Sequence, residues 1–315
     1  MSKPKLIVIT GPTATGKSAL GVQLAIKIDG EIVSADSMQI YRHMDIGTAK
    51  PTKEEMQGVP HHMIDIISPW EDYSVARYVK DASKCVDDIF HRGKQPILVG
   101  GTGLYIDSLL NGRSFSSRGE VVIRQSIEEE YDNIGGSAML DRLREIDPDS
   151  AAKLHENDKK RIVRALEVYY TDKKPISRHD IESKALPPRY DAVKIALTFL
   201  DRTTLYDKID RRVDDMLLYG LMGEVMSLMD NNVSRGNTAM QAIGYKEIVD
   251  AILTEANTGE TIDTSAVAEK IKMESRRYAK RQLTWLRRDN SVKWLNWDDT
   301  PDIAKGITEI TKILN

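Results

Sequence analysis

The stretch KLIVITGPTATGKSALGVQLAIKI, residues 5–28, decides the fold of this chain. Residues 6–10, LIVIT, form a mostly apolar run that predicts a buried β-strand, and residues 18–28 have the apolar spacing of a helix. Between them, GPTATGKS at residues 11–18 matches the pattern GxxxxGK[ST], in the strand-to-helix context that a phosphate-binding loop requires. The stretch therefore predicts a P-loop-type α/β fold.

The phosphate loop, residues 11–18, predicts a pocket for a diphosphate or a triphosphate. Its glycines let the backbone amides turn toward a phosphate, and the start of the following helix adds positive potential. Lys17 supplies a positive charge, and the hydroxyl of Ser18 is a suitable ligand for Mg²⁺. The loop does not separate a nucleoside triphosphatase, a small-molecule kinase and a diphosphate-consuming transferase. The residues expected to bind the diphosphate are Gly11, Pro12, Thr13, Ala14, Thr15, Gly16, Lys17 and Ser18.

The remainder of the first hundred residues alternates short apolar runs with helical patterns, which indicates a parallel sheet flanked by helices. A long helix is expected at residues 73–93, and a short last strand in VKWLNWD. Further strands are expected at residues 31–35, 96–100 and 194–201. This part of the chain is expected to be a doubly wound α/β catalytic core, residues 1–116 and 192–315.

Residues 117–191 interrupt that pattern, because helical spacing continues there without a convincing strand. We predict that they form an all-helical insertion domain. Its helices are expected near residues 118–134, 136–146, 149–155 and 158–171.

The composition is that of an ordinary globular protein, with 41% apolar and 30% charged residues in a chain of 315. The net charge of -3 does not by itself indicate nucleic-acid binding. Residues 270–288 are rich in Lys and Arg, which indicates either a solvated helix face or a phosphate-binding surface. No apolar run is long enough to span a membrane, so no membrane role is expected. A single cysteine, Cys85, fits a reducing compartment, and we expect the protein in the cytoplasm.

Asp36, in EIVSADSMQIY, follows the second strand, at the edge where open α/β sheets bind ligands. Three roles stay open for its carboxylate: a general base, an acidic partner of Mg²⁺, or a cap of the next turn. Gln39 is suited to reading a base edge, although a plain surface glutamine is equally common. Thr102, in GGTGLY, either contacts the bridging oxygen of a leaving diphosphate or caps the next helix.

Two other reactive residue types are assigned structural roles. His61 and His62 are adjacent in an extended segment, so their side chains point apart, and no third metal ligand is evident. Cys85 lies at helical spacing, which is more typical of packing than of a nucleophile.

Nine blocks of this sequence, in this order, resemble the tRNA dimethylallyltransferase family, also called tRNA isopentenyltransferase. The blocks are GPTATGKS, ADSMQIY, MDIGTAKP, HHMID, YSVARY, GGTGLY, NDKKRIVRALE, AIGYKE and YAKRQLTWLR. They extend over nearly the whole chain, and their order is more specific than any single block after the phosphate loop. The resemblance implies a P-loop-type core, a helical insertion that binds the anticodon stem, and a requirement for Mg²⁺.

The resemblance also implies a reaction. A dimethylallyl group passes from dimethylallyl diphosphate to N6 of adenosine 37 in tRNAs that read codons beginning with U. A zinc-finger block of the kind that longer eukaryotic relatives carry is not found, which favours a bacterial-type enzyme. A monomer is expected.

Residue by residue, the resemblance places the general base at Asp36 and a contact with the reacting centre at Thr102. Arg212 is expected near the diphosphate, and with Lys17 it completes the expected catalytic set. Lys208 is a departure, because the family often has arginine there and lysine cannot make a bidentate contact. The residues expected to contact tRNA are Asp36, Ser37, Met38, Gln39, Thr102, Arg124, Lys160, Arg161, Ile162, Val163, Arg164, Met240, Gln241, Ala242, Ile243, Gly244 and Tyr245.

Two other functions fit part of the sequence. A P-loop kinase acting on a small metabolite would need the same loop, but the chain length and the Lys- and Arg-bearing insertion disfavour it. An ATP-driven RNA-binding switch would need an apolar strand that ends in an aspartate, which PILVGG does not supply.

Overall fold

The computed structural model describes residues 5–112, 121–185 and 187–314. The chain separates into two compact units, one formed by Met1–Leu110 with Tyr190–Asn315 and the other by Asn111–Arg189. The boundary expected at residue 117 and the start of the helix expected at 118–134 lie outside the described residues.

The described strands form one parallel sheet of six in the first unit, so the predicted parallel sheet is confirmed. The order across the sheet is β3-β2-β4-β1-β5-β6. β3 was not expected, because a segment of two residues shows no strand pattern in a sequence. The strands are β1 (Lys5–Thr10), β2 (Gly30–Ser34), β3 (His61–His62), β4 (Gln95–Val99), β5 (Asp191–Phe199) and β6 (Lys293–Trp297).

Helices flank this sheet and form the second unit. The expected helix at 149–155 is confined to four residues, and α9 was not expected because its sequence has few apolar positions. None of the described helices is long and apolar enough to cross a membrane. In chain order the helices are α1 (Lys17–Ile28), α2 (Lys53–Met56), α3 (Val75–His91), α4 (Gly103–Asn111), α5 (Val121–Ile134), α6 (Gly136–Ile146), α7 (Pro148–Ala151), α8 (Lys159–Asp172), α9 (Ile176–Ala185), α10 (Arg202–Leu218), α11 (Leu221–Asp230), α12 (Tyr245–Thr258), α13 (Thr264–Leu286) and α14 (Ile303–Leu314).

β1 is buried on both faces of the sheet. Successive side chains of a strand point to opposite faces, so β1 contributes to two apolar clusters. Leu6 packs in the cluster that contains Tyr78 of α3, whereas Ile7 and Ile9 pack in the cluster that contains Leu20 of α1. Each fully buried aliphatic side chain stabilises the fold by about 1.5–3 kcal/mol, so this central strand is held firmly.

The second unit has an apolar core of its own. Ile127 of α5, Met139 and Leu143 of α6, and Ile162 and Leu166 of α8 are buried together. The helical spacing of these residues gives each helix one apolar stripe, which faces the others.

Candidate active site

Three loops lie side by side at the carboxyl edge of the sheet. β1 pairs with β4, and β4 pairs with β2, so the segments that follow these strands are neighbours. The segments are the phosphate loop, residues 36–39 and residues 100–102. Each contributes to the border of a cavity of about 1620 Å³ that lies within the first unit. Single small ligands usually occupy about 300–1,000 Å³, so this cavity has room for more than one reactant.

The conformation of the phosphate loop depends on Gly11, which has a φ of +139°. A Cβ atom at this position would lie 2.4 Å from the carbonyl oxygen of Leu197 on β5, so only glycine fits. The hydroxyl of Thr15 and the Nζ atom of Lys17 both donate hydrogen bonds to the carbonyl of Pro12, at 2.8 Å and 2.6 Å. These two bonds close the loop and place the Lys17 ammonium inside it.

The last strand and its following turn support the phosphate loop from outside. Trp297 of β6 is buried, and its Nε1 donates a hydrogen bond of 3.0 Å to the carbonyl of Thr15. Pro301 packs against Gly16, where an added Cβ atom would lie 3.1 Å from the proline ring. The pattern VKWLNWD predicted the strand but not these contacts.

Lys17, Arg212 and Asp36 are among the charged residues that border the cavity. Burial and the charge of Arg212 lower the pKa of Lys17 to about 7, while Asp36 acts in the opposite direction. Burial also lowers the pKa of Arg212, and Asp36 opposes that change as well. The Nε atom of Arg212 is buried and finds no hydrogen-bond partner among the described residues. Cations buried with so little compensation make the cavity suited to a multiply charged anion.

Asp36 stands at the start of the turn after β2. Its Oδ1 accepts hydrogen bonds from the backbone amides of Met38, at 2.8 Å, and Gln39, at 3.4 Å. The carboxylate therefore caps this turn, which was one of its three expected roles. It also borders the cavity, and the general-base role stays a prediction.

Thr102 joins the loop after β4 to the Asp36 segment. Its backbone amide donates to the carbonyl of Ala35 at 3.1 Å, and its Oγ1 accepts from the amide of Ser37 at 3.1 Å. The phenol of Tyr278 on α13 interacts with the same hydroxyl. Burial and the nearby Asp36 raise the pKa of Tyr278 to about 12. The predicted contact of Thr102 with the reacting centre stays a prediction.

Gln39 is engaged by the segment 44–51, which also borders the cavity. Its Nε2 donates to the carbonyls of Thr48 and Ala49, both at 3.3 Å, and its Oε1 accepts from the hydroxyl of Ser34 at 3.2 Å. Donation by Gln39 to a base therefore requires it to exchange one of these contacts, and the base-reading role stays a prediction.

Glu224 of α11 holds the segment 44–51 in place. Its carboxylate accepts hydrogen bonds from the backbone amides of Asp45 and Ile46, both at 2.9 Å, and of Gly47 at 3.2 Å. The buried phenol of Tyr245 also donates to Glu224. Glu224 has no predicted role, because nothing near residue 224 in the sequence indicates a partner so far away along the chain.

The predicted tRNA-contacting stretch at residues 240–245 is largely buried. Met240 and Tyr245 have no exposed surface, and the amide of Gly244 donates to Glu247 at 2.7 Å. The residues of this stretch that border the cavity are Gln241, Ala242 and Ile243. Contact with tRNA stays a prediction for all six residues of the stretch.

In the second unit, α8 presents its predicted tRNA-contacting residues on two faces. Lys160 and Arg161 are exposed, with 70% of the Arg161 side chain accessible. Ile162 and Val163, by contrast, are buried in the core of the unit. The exposed pair is free to contact an RNA backbone, whereas the buried pair sets the position of the helix.

Two other predicted tRNA-contacting residues of this unit face a buried carboxylate. Glu167 of α8 is 2% exposed, Arg164 lies 3.0 Å from it, and Arg124 of α5 lies 3.6 Å from it. A buried carboxylate depends on such cations, so these arginines have a structural role besides any contact with tRNA.

The residues assigned structural roles from the sequence have structural partners. His62 Nε2 lies 2.7 Å from a carboxylate oxygen of Glu31, and His61 Nδ1 lies 2.8 Å from the carbonyl of Val59. In the described ranges, no group of three or more His, Cys, Asp and Glu residues is arranged to hold a metal ion.

Comparisons with known proteins cover nearly the whole chain. A family model described as IPP transferase matches residues 39–289, and one described as Isopentenyl transferase matches residues 4–68. The tRNA dimethylallyltransferase of Caldanaerobacter subterraneus subsp. tengcongensis is 48% identical over 297 residues, which are 94% of this chain and 92% of that protein. The tRNA dimethylallyltransferase of Geobacter sulfurreducens is 44% identical over 307 residues, 96% of each chain.

Solved structures agree with these matches. The full-length tRNA isopentenylpyrophosphate transferase of Bacillus halodurans has a TM-score of 0.72 and 42% identity, covering 99% of this chain and 96% of its own. A eukaryotic dimethylallyltransferase acting on tRNA has a TM-score of 0.80 and 31% identity, covering 99% of this chain and 77% of its own. The identity, the coverage and the shared fold lead to one conclusion: this chain belongs to the tRNA dimethylallyltransferase family, the IPP transferases.

Proposed function

We propose that this protein transfers a dimethylallyl group from dimethylallyl diphosphate to N6 of adenosine 37 in tRNAs that read codons beginning with U. The products are N6-(dimethylallyl)adenosine and diphosphate. One observation carries the proposal: Lys17, Arg212 and Asp36 border a single large cavity in a chain whose relatives are tRNA dimethylallyltransferases.

Stabilisation of the leaving group is the first task of this site. The exocyclic amine of adenine is a poor nucleophile, because its lone pair is delocalised into the ring. The allylic carbon must therefore become strongly electrophilic as the diphosphate departs. Lys17, Arg212 and the backbone amides at the start of α1 stabilise the negative charge that gathers on the leaving oxygens.

Mg²⁺ is the proposed cofactor, and the oxygen atoms at the site fit it. Ser18 borders the cavity at the start of α1, and the described residues offer no all-protein metal cluster. Mg²⁺ is commonly held by one or two protein oxygens together with substrate phosphates. Ser18 would hold the ion alongside the diphosphate, and when bound the ion neutralises part of the phosphate charge.

Proton removal is the proposed task of Asp36. The N6–C bond forms as the C–O bond to the diphosphate breaks, and the electron pair of that bond leaves with the diphosphate. One N6 proton passes to the Asp36 carboxylate. A positioned base typically contributes about 10²–10⁴-fold, so leaving-group stabilisation carries the larger share of the rate.

Recognition of tRNA is proposed to involve both units. The target base must leave the stack of the anticodon loop to reach the cavity, and single-stranded loops permit this at modest energetic cost. On the second unit, Lys160, Arg161 and Arg164 are proposed to bind stem phosphates. We also propose that the protein acts as a monomer in the cytoplasm, where tRNA is available.

Incubation of the protein with Mg²⁺, dimethylallyl diphosphate and unmodified tRNA tests the proposal. The tRNA is expected to gain the mass of one dimethylallyl group, located at adenosine 37 by nuclease digestion. ATP in place of the prenyl donor is the control, because a kinase would transfer phosphate from it. Unchanged tRNA with the prenyl donor, or phosphate transfer with ATP, would contradict the proposal.

A further inference from the structure

Gln282 is a buried polar residue of the cavity whose hydrogen bonding is incomplete. It lies on α13, is 7% exposed and borders the cavity. Its Nε2 donates a hydrogen bond of 2.9 Å to the carbonyl of Gly101. Its Oε1 is buried and has no hydrogen-bond partner in the described parts of the chain.

The orientation of this amide follows from its chemistry. The carbonyl oxygen of Gly101 can only accept a hydrogen bond, so the amide nitrogen of Gln282 must face it. The carbonyl oxygen of the side chain then faces the other way. A buried acceptor is normally satisfied by protein, by ordered water or by a ligand, and Oε1 lacks the first of these.

The two proposed reactants differ in what they offer such an acceptor. Dimethylallyl diphosphate carries phosphate oxygens and a hydrocarbon chain, neither of which donates an N–H hydrogen bond. The exocyclic amine of adenine carries two N–H groups. During transfer one proton leaves for Asp36, and the other remains on N6 in the product. That second N–H needs an acceptor wherever the bound base excludes water from the cavity.

We infer that Oε1 of Gln282 accepts the hydrogen bond of the second adenine N–H, while Asp36 receives the first proton. This inference rests on the proposed function, because it assigns a residue to the amine that the proposed reaction uses. Gln282 is thus a substrate-contacting residue that recognises a primary amine at the target position.

The backbone connections around the site support a shared role for the two acceptors. Gln282 is bonded to the loop after β4, and the next residue of that loop, Thr102, donates to Ala35 at 3.1 Å. Thr102 also accepts from Ser37 at 3.1 Å. Asp36 lies between Ala35 and Ser37 in the sequence. The hydrogen bonds of Thr102 and Gln282 therefore connect the two acceptors, Asp36 and Gln282, in one framework. Two fixed acceptors orient the amine, and with it the lone pair that attacks the allylic carbon.

The test compares two anticodon stem-loops that differ only in the target base, adenosine or N6-methyladenosine. The methylated base has one N–H, so it cannot satisfy both acceptors. Affinity is measured by competition in the presence of Mg²⁺ and diphosphate, so that no turnover is needed. The native protein is expected to bind the adenosine stem-loop about tenfold more tightly, as the loss of one buried hydrogen bond predicts. Equal affinities would overturn the inference without any variant.

Gln282→Met removes the acceptor while keeping the side-chain length. This variant is expected to lose the preference for adenosine and to lower kcat/KM on the adenosine stem-loop by about 10- to 100-fold. A merely structural role would weaken both stem-loops equally and would leave the preference intact, and that result contradicts the inference.

Gln95→Met is the matched control. The Gln95 amide also donates to backbone carbonyls, those of Lys5 at 2.9 Å and Pro96 at 3.0 Å, but at the opposite end of β4. This variant is expected to keep the preference for adenosine and the native kcat/KM. Loss of the preference in Gln95→Met would show that general loosening of the sheet suffices, and would overturn the assignment.

A second measurement separates the adenine amine from a water molecule on Mg²⁺, which is another donor that the occupied cavity would contain. The affinity of Gln282→Met for diphosphate in Mg²⁺ is expected to equal the native value. Weaker diphosphate binding would assign Oε1 to the metal-bound water and overturn the inference. If the native protein itself fails to modify tRNA, the proposed function fails; if it succeeds and the preference persists in Gln282→Met, only this inference fails.

Discussion

The Oδ1 atom of Asp36 accepts a hydrogen bond of 2.8 Å from the backbone amide of Met38. One oxygen of the carboxylate thus shapes the turn, while the carboxylate as a whole borders the cavity. The structural and the chemical role of this residue can be separated by substitution, because asparagine keeps an oxygen that accepts the amide but loses the basicity.

Asp36→Asn is expected to lower single-turnover transfer by about 10²–10⁴-fold, the range of a general base. The midpoint of urea unfolding is expected to change little. Asp36→Ala is the companion variant, because it removes the turn cap as well and is expected to lower stability by about 0.5–1.5 kcal/mol. Native transfer rates in Asp36→Asn would exclude the base role.

Binding of diphosphate is expected to depend on pH through Lys17. The pKa of Lys17 in the free protein is lowered to about 7, and a bound anion raises it again. Below that pH the Lys17 side chain is already protonated. Above that pH, the Lys17 side chain must take up a proton when diphosphate binds. Affinity is therefore expected to fall about tenfold per pH unit above neutrality, until the pKa of the bound state is reached.

Calorimetry in two buffers with different ionisation enthalpies measures this proton uptake directly. Lys17→Arg is the control, because its guanidinium stays charged and the proton uptake due to residue 17 is expected to vanish. Subtracting the proton uptake of this variant from that of the native protein also removes the contribution of diphosphate protonation. Identical uptake by the native protein and the variant would show that Lys17 is charged throughout.

Gly47→Ala is expected to destabilise the protein by about 1–3 kcal/mol, the usual effect of an inserted methyl group in a packed site. A Cβ atom there would lie 2.3 Å from the ring of Tyr245 and 2.8 Å from Leu221. The control is Gly223→Ala on α11, where nothing lies within 4 Å and alanine is expected to stabilise the helix by about 0.5–1 kcal/mol. Urea unfolding measures both, and equal midpoints would mean that the segment 44–51 does not pack as described.

Arg161→Ala is expected to weaken tRNA binding and to reduce its salt slope by about one, the signature of one lost phosphate contact. Its stability is expected to stay unchanged because the side chain is exposed. Arg164→Ala is expected to lower stability as well, since it removes the partner at 3.0 Å from the buried Glu167. Arg144→Ala on α6, also exposed, is the control. If the salt dependence of tRNA binding were unaltered in Arg161→Ala, Arg161 would not contact a tRNA phosphate, and the proposed RNA-binding surface would be wrong.

The sequence predicted those features of the fold and site that depend on residues close together in the chain. The phosphate loop and the parallel sheet follow from local apolar runs and from glycine spacing, and the place of Asp36 follows from the end of a strand. The roles of Glu224 and Gln282 could not be predicted, because their partners lie far away along the chain, at Asp45 and Gly101. Such contacts exist only once the sheet has set the path of the backbone.

The bond between Trp297 and Thr15 joins segments that the ribosome makes at opposite times. α1 follows β1 directly, but β1 itself pairs with β4 and β5, which are synthesised later. The phosphate loop, however, lacks its contacts with Trp297 and Pro301 until these residues have left the ribosomal exit tunnel. A chain cut short before residue 297 is therefore expected to leave the carbonyl of Thr15 without this donor.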